Sequence, residues 1–173
     1  MRKTKLIITI TSILLAALML TGCKWGGKKT PPTPDYPEPP AESNAETYVE
    51  TGVETEAPKL DRVNGGGAVG LTYTTDVTVN ISTGTVSLYF ANPSRSVDNI
   101  SVKLYVDGFK IAESGILEPG TQLSTLSLTD AGVRTMKNIG VYDGKFVVDF
   151  YNSESNEKSV LSTEIPITAM VRQ

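Results

Sequence analysis

The feature that most limits the fold of this chain is an alternation of apolar and polar residues that continues from Ala68 to Gln173. An alternation with a period of two is typical of β-strands with one buried face, since successive side chains of a strand point to opposite sides. No long stretch of this region has the 3.6-residue period of an amphipathic helix. The pattern therefore predicts an all-β domain.

Seven strands are predicted, and turn-forming residues separate several of them. Asp107-Gly108 is typical of a two-residue hairpin turn, and Glu118-Pro119-Gly120 of a type II turn. One short helical turn is expected, with Asp130 as its cap. The predicted strands span residues 71–81, 85–91, 100–106, a segment starting at 109, a segment starting near 122, 144–151 and 163–171.

Two antiparallel sheets packed face to face are the simplest way to bury one face of each of these strands. Pro166 has no backbone N–H group, so the last strand is expected at a sheet edge. The segment Ile139–Phe146 resembles the corner before the sixth strand of immunoglobulin-like domains, where a tyrosine hydroxyl bonds back to the backbone. The resemblance implies a seven-stranded immunoglobulin-like antiparallel sandwich, without the cysteine pair and core tryptophan of antibody domains.

The N-terminus has the pattern of a bacterial export signal. Basic residues at the start precede an uncharged, mostly apolar stretch, Leu6–Leu20, which is short for a permanent membrane span. Leu20-Thr21-Gly22-Cys23 resembles the lipobox of bacterial lipoproteins. That resemblance implies removal of residues 1–22 and attachment of a diacylglyceryl group to Cys23. The protein is therefore expected on the extracytoplasmic face of the cell membrane, held by lipid.

Residues 23–67 are predicted to be the lipidated cysteine followed by a disordered linker rich in proline and glutamate. Seven of the ten prolines lie here, acidic residues dominate, and apolar residues are too sparse to offset the entropy of ordering. The expected organisation is therefore a signal peptide at 1–22, a linker at 23–67 and the immunoglobulin-like domain at 68–173.

Several classes of function are not expected, because the residues that they need are missing. The chain has no histidine, the usual general base near neutral pH, and its one cysteine is assigned to lipid. The acidic loops at Asp107-Gly108 and Asp143-Gly144 lack the alternating oxygen ligands of a calcium loop. A formal net charge of −3 leaves no basic surplus for nucleic acid. We therefore expect no enzyme activity, no cofactor, no metal site and no nucleic-acid partner.

Binding is the class of function that remains. Tyr89, Tyr105 and Tyr151 alternate out of phase with their apolar neighbours and are predicted to form a row on an outer sheet face. Ordinary cross-strand pairing would explain the same tyrosines. The run from Gly144 to Pro166 is similar to the ends of small, uncharacterised surface lipoproteins of Gram-positive bacteria, a resemblance that implies no activity. Two functions are expected: presentation of the domain for binding a protein or glycan, or a structural accessory role in an envelope, secretion or conjugation assembly.

Overall fold

The computed structural model describes residues 39–49, 58–62 and 68–173, so the signal peptide and Cys23 lie outside the described residues. The described part of the chain is all-β, as predicted, with nine strands and one short helix. The elements are β1 Glu46–Thr47, β2 Thr72–Tyr73, β3 Asp76–Asn80, β4 Thr85–Asn92, β5 Asn99–Val106, β6 Phe109–Glu113, β7 Thr121–Ser127, α1 Asp130–Thr135, β8 Gly140–Tyr151 and β9 Lys158–Arg172. In the described residues, the six-residue helix α1 does not meet the length or the apolar character of a membrane span.

The strands are hydrogen-bonded in the order β1-β7-β4-β3-β9-β8-β5-β6, and β2 pairs with β4 beside this path. The predicted first strand, 71–81, is divided into β2 and β3, and β1 was not predicted, so the expected count of seven is wrong. The expected purely antiparallel pairing is also wrong, because β3 runs parallel to β9 over Asp76–Asn80. The other strand pairs of the described chain are antiparallel.

The apolar faces predicted from the alternation form the core. On β5 the side chains of Ile100, Val102, Leu104 and Val106 are all fully buried. Phe90 of β4 contacts Phe146 of β8 edge to face, with ring centroids 5.2 Å apart. Because β4 and β8 are not hydrogen-bonded neighbours, this contact joins two strands across the core.

Local turn chemistry agrees with the sequence at most of the predicted turns. Asp107 and Gly108 both have positive φ, 50° and 80°, as a type I′ hairpin turn requires, and Gly120 has φ 86°. The helix cap is one residue earlier than expected. Thr129, rather than Asp130, caps α1, since its hydroxyl accepts a hydrogen bond from the Gly132 amide at 3.0 Å.

The corner before β8 also agrees with the sequence. The Tyr142 hydroxyl donates a hydrogen bond to the backbone carbonyl of Asn138 at 3.2 Å. This is the backward bond that the resemblance of Ile139–Phe146 to an immunoglobulin corner implied.

The position of Pro166 explains how a proline is accommodated in a long strand. From Thr168 onward β9 is paired on both sides, by β3 and β8. Pro166 precedes this stretch and is paired only with Lys145 of β8. The predicted edge position is therefore correct for the part of β9 that contains Pro166 and wrong for its C-terminal part, where the strand is central.

The predicted boundary of the linker at residue 67 is wrong, because residues 39–49 and 58–62 pack against the domain. Ala41 forms a parallel bridge with Ile116, and β1 pairs with β7. Arg62 forms an ion pair of 2.6 Å with the buried carboxylate of Asp98. Backbone hydrogen bonds and charges hold these residues, whereas the prediction of disorder counted only the apolar surface that the segment can bury.

Candidate binding surface

The predicted row of tyrosines does not form. Tyr151 is only 4% exposed, beside Asn99, its partner in the ladder between β5 and β8. Tyr105 is half-buried and lies six residues along β5 from Asn99, a distance of about 20 Å. Tyr89 is on β4, which is not hydrogen-bonded to β5 or β8. Tyr89 and Tyr105 do lie on the opposite side of their strands from the buried neighbours, as predicted. The strand order and register, however, keep the three tyrosine rings apart.

The two half-buried tyrosines have different neighbours. Burial and the nearby hydroxyl of Tyr48 raise the pKa of Tyr89 above its ordinary value. The ammonium group of Lys145 lies 5.9 Å from the centre of the Tyr105 ring, on the other strand of a cross-strand pair. Neither contact joins one tyrosine of the predicted row to another.

A charged cluster occupies the side of β5, β8 and β9 that faces away from the core. Its centre is the buried carboxylate of Asp149, which accepts hydrogen bonds from Lys103 at 2.6 Å and from the Ser162 hydroxyl at 2.5 Å. Lys158 makes an ion pair of 2.9 Å with the same carboxylate. Glu113 lies 3.8 Å from the Lys103 ammonium group. This surface is therefore built around the buried carboxylate of Asp149, two lysines and the more distant carboxylate of Glu113.

The electrostatics of this cluster favour charged forms at neutral pH. Burial alone would raise the pKa of Asp149, but hydrogen bonds from Lys103, Ser162 and Lys158 outweigh it, so the pKa lies below its ordinary value. Burial alone would lower the pKa of Lys103, but Asp149 and Glu113 outweigh it and the pKa is raised. General acid–base chemistry needs pKa values moved toward neutrality, and here both move away from it. The cluster is suited to stabilising the sheet.

A second, apolar surface lies at the opposite end of β8 and β9. We call Ile139, Val141 and Met170 the distal patch. Val141 and Met170 are a cross-strand pair, 67% and 52% exposed, and Ile139 is 64% exposed. Their strand neighbours Ala169 and Val171 are buried, so the patch faces away from the core.

Acidic residues form the next row beside the distal patch. Asp143 of β8 and Asp76 of β3 are both paired with Thr168 of β9, and both acids are exposed. The distal patch was not predicted, because only aromatic residues at outer positions were taken as candidates for binding. The sequence does contain an indication of the patch, because Val141 and Met170 are apolar residues at the positions of the alternation that are expected to face solvent.

The distal patch and the N-terminal segment are at opposite ends of β8. Ala41 pairs with Ile116, and the adjacent Leu117 bridges Ile100, which is paired with Phe150 of β8. Phe150 is nine residues from Val141 along this strand, about 30 Å. Of the described residues, those of the N-terminal segment that pair with Ile116 therefore lie far from the distal patch.

Two further features of the described residues concern ligand binding: a surface depression, and the grouping of side chains that could bind a metal. A shallow, open, polar depression runs along β1, lined by Ser43, Asn44, Ala45, Glu46, Ser124 and Thr125. In the part of the chain that the structure describes, no three acidic, cysteine or histidine side chains group as metal ligands do.

Comparison with known proteins gives only distant structural likenesses. No family model matches the chain, and no curated protein matches it. Among solved structures, the chain is similar to the periplasmic chaperone SfaE, with 15% sequence identity and a TM-score of 0.38. The match covers 60% of this chain and 56% of the chaperone chain, so the chain spans little more than half of the chaperone's length.

Proposed function

We propose that this protein is a lipid-anchored lipoprotein on the extracytoplasmic face of the bacterial cell membrane, and that its immunoglobulin-like β-sandwich binds another protein. The observation that carries the proposal is the distal patch of Ile139, Val141 and Met170, exposed at the end of β8 opposite the N-terminal segment. Exposed apolar clusters on the surface of a domain are typical of protein-binding sites.

The strand pairing supports an immunoglobulin-like sandwich. One layer would contain β2, β4, β7 and β1, and the other β9, β8, β5 and β6, with β3 joining the two through β4 and β9. The contact between Phe90 and Phe146 then packs the two layers together. The hydrogen bond from Tyr142 to Asn138 lies at the corresponding corner of such folds.

The chemistry of the distal patch favours a protein over a glycan as the partner. Its three side chains are aliphatic or a thioether and offer no strong hydrogen-bonding groups to sugar hydroxyls. The patch lies on the face of a sheet, which suits an extended apolar contact. The acids on one side of the patch, Asp143 and Asp76, favour a partner with basic residues at that edge. The exposed Arg172, two residues from Met170 on β9, favours an acidic residue at the other edge.

Lipid attachment is tested by changing the single cysteine. We expect Cys23→Ala to block processing, because the alanine has no thiol to accept a diacylglyceryl group. The variant should accumulate as an uncleaved precursor, measured by intact mass and by the fraction of protein in the membrane pellet after a carbonate wash. Thr21→Ser keeps a small residue before the cysteine and should be processed normally. A wild-type protein with an unmodified N-terminus elsewhere in the chain would contradict lipidation.

Binding through the distal patch is tested by site-specific photo-cross-linking in living cells. A photoreactive residue at position 141 should give a defined cross-linked product, and Met170→Glu should reduce its yield at least tenfold by placing a charge in the apolar contact. Val160→Glu is the matched control, since Val160 is 98% exposed on the same strand but outside the patch. Both variants should keep the wild-type melting temperature, because both side chains are exposed.

The outcome of this experiment also separates the two functions expected from the sequence. A cross-linked product that is a subunit of an envelope assembly assigns the accessory role, and a protein outside any such assembly assigns the binding role. Cross-linking from position 160 but not from 141, or a product that Met170→Glu leaves unchanged, would show that the binding surface lies elsewhere.

A further inference from the structure

The N-terminal segment 39–49, which we call the strap, is attached to the domain along one side. The Glu42 amide donates a hydrogen bond to the Ile116 carbonyl at 2.9 Å, and the Ile116 amide donates to the Pro40 carbonyl at 2.8 Å. Further along, the Tyr48 amide donates to the Gly120 carbonyl at 2.8 Å. The strap therefore lies against the segment after β6 and then, as β1, against the edge of β7.

The absence of a side chain at Gly115 allows the strap backbone to pack closely against the domain. The Gly115 amide donates a hydrogen bond to the Glu42 carboxylate at 2.6 Å. A β-carbon at position 115 would clash with the Pro40 carbonyl oxygen and would lie 2.8 Å from the Glu42 amide nitrogen. The atoms nearest to this position all belong to the strap backbone, so the missing side chain leaves space for the strap.

The strap is held mainly by polar contacts at the surface. None of its residues is buried. The Glu46 carboxylate accepts an exposed hydrogen bond from the Ser124 hydroxyl at 2.8 Å, and the Glu42 carboxylate accepts a partly buried one from the Gly115 amide. Hydrogen bonds to Ser124 and Gln122 lower the pKa of Glu46 below its ordinary value. Because the strap contributes no buried side chain, it can separate without opening the core.

Residues 58–62, which we call the clasp, form a second attachment to the domain farther along the chain. Lys59 donates to the carbonyls of Ser94 and Ser96 at 2.6 and 3.1 Å, and Arg62 pairs with Asp98. The Leu60 amide donates to the Arg95 carbonyl at 2.8 Å. The clasp therefore binds the domain through backbone carbonyls and through one ion pair to the buried carboxylate of Asp98, which also accepts a hydrogen bond from the Ala68 amide.

We infer that the strap and the clasp are a releasable tether, which sets two lengths of chain between the domain and Cys23. With both attached, about 17 residues lead from Cys23 to the first contact, the Pro40 carbonyl, and this length of chain can reach at most about 60 Å. With both released, about 45 residues lead from Cys23 to Ala68, and the maximum reach rises to about 150 Å. Tension between the membrane and a bound partner would favour the long state. The biological role rests on the lipid anchoring proposed above, but the attachment itself does not.

Single-molecule force spectroscopy on the purified, unlipidated full chain tests this inference. The chain is held at the Cys23 thiol and at Gln173, so the result is independent of lipidation and of any partner. We expect about 100 Å of contour length to be released, in one or two steps, at forces below that which unfolds the sandwich. A first event that is the unfolding of the whole domain, with no earlier extension, would overturn the inference.

Gly115→Ala gives the matched test of the strap. Its β-carbon should displace the strap, remove the corresponding early step and raise the hydrogen-exchange rate of the Tyr48 amide at least tenfold. The control is the same substitution in a full-length chain whose residues 40–47 are replaced by a Gly-Ser sequence of equal length. This chain keeps Tyr48 but has no strap step and already exchanges the Tyr48 amide quickly, so Gly115→Ala should change neither measurement. An unchanged Tyr48 exchange rate in Gly115→Ala would show that the strap does not depend on this contact.

Discussion

Phe146→Ala is expected to lower the free energy of unfolding by about 3–5 kcal/mol, the range typical of removing a buried phenylalanine side chain. Phe146 is fully buried and contacts Phe90 edge to face at 5.2 Å. Leu104 and Ile165 flank it on the neighbouring strands. The alanine would therefore leave a cavity bounded by β4, β5 and β9. Urea denaturation with a two-state fit measures the loss.

The matched control for this substitution is Phe109→Ala. Phe109 is 54% exposed at the end of the β5–β6 hairpin, so the same chemical change should cost less than about 1 kcal/mol. Similar losses for the two variants would mean that Phe146 does not occupy the core position described here.

Asp149→Asn is expected to cost about 2–3 kcal/mol at neutral pH. The substitution removes the charge that the ammonium groups of Lys103 and Lys158 share in a buried position. Breaking one side of a buried ion pair typically costs 3–5 kcal/mol, and the partial exposure of the two lysines reduces that figure. Glu164→Gln is the control, because its ion pair with Lys145 is exposed and should contribute less than about 1 kcal/mol.

The same variant has a predicted pH dependence. The folded-state pKa of Asp149 is below its ordinary value, so its stabilising contribution is present above about pH 4 and is lost as the pH falls through the lower folded pKa. The folded-state pKa of Lys103 is raised, so its contribution is lost only as the pH rises above about 10.5. The stability difference between wild type and Asp149→Asn should therefore be flat near neutrality and shrink in acid. A difference that grows below pH 4 would contradict this assignment.

The sequence by itself determined which parts of the domain are strands and which faces of them are buried. The alternation at Ile100, Val102, Leu104 and Val106 is a local pattern, and all four side chains are in the core. The turn at Asp107-Gly108 was equally predictable, because positive φ at both positions depends on residue type. The corner bond of Tyr142, which spans only four residues, was implied by the resemblance of Ile139–Phe146 to an immunoglobulin corner.

Only the tertiary structure decided how these strands are placed beside one another. Tyr151 is buried because Asn99, far away along the chain, lies opposite it, and no local pattern contains that register. Register likewise brings Val141 beside Met170 and so creates the distal patch.

The attachment of the strap is the feature that was least predictable from the sequence. Its sequence is acidic and rich in proline, and every local rule predicts a solvated chain. It is attached because Gly115 leaves space for its backbone and because Ile116 and β7 offer unpaired backbone groups. The order of apolar and polar side chains in the sequence indicates which surfaces are buried. Every residue type except proline has the same backbone N–H and C=O groups, so the sequence does not indicate which distant segments will form backbone hydrogen bonds. Only the folded structure shows those bonds.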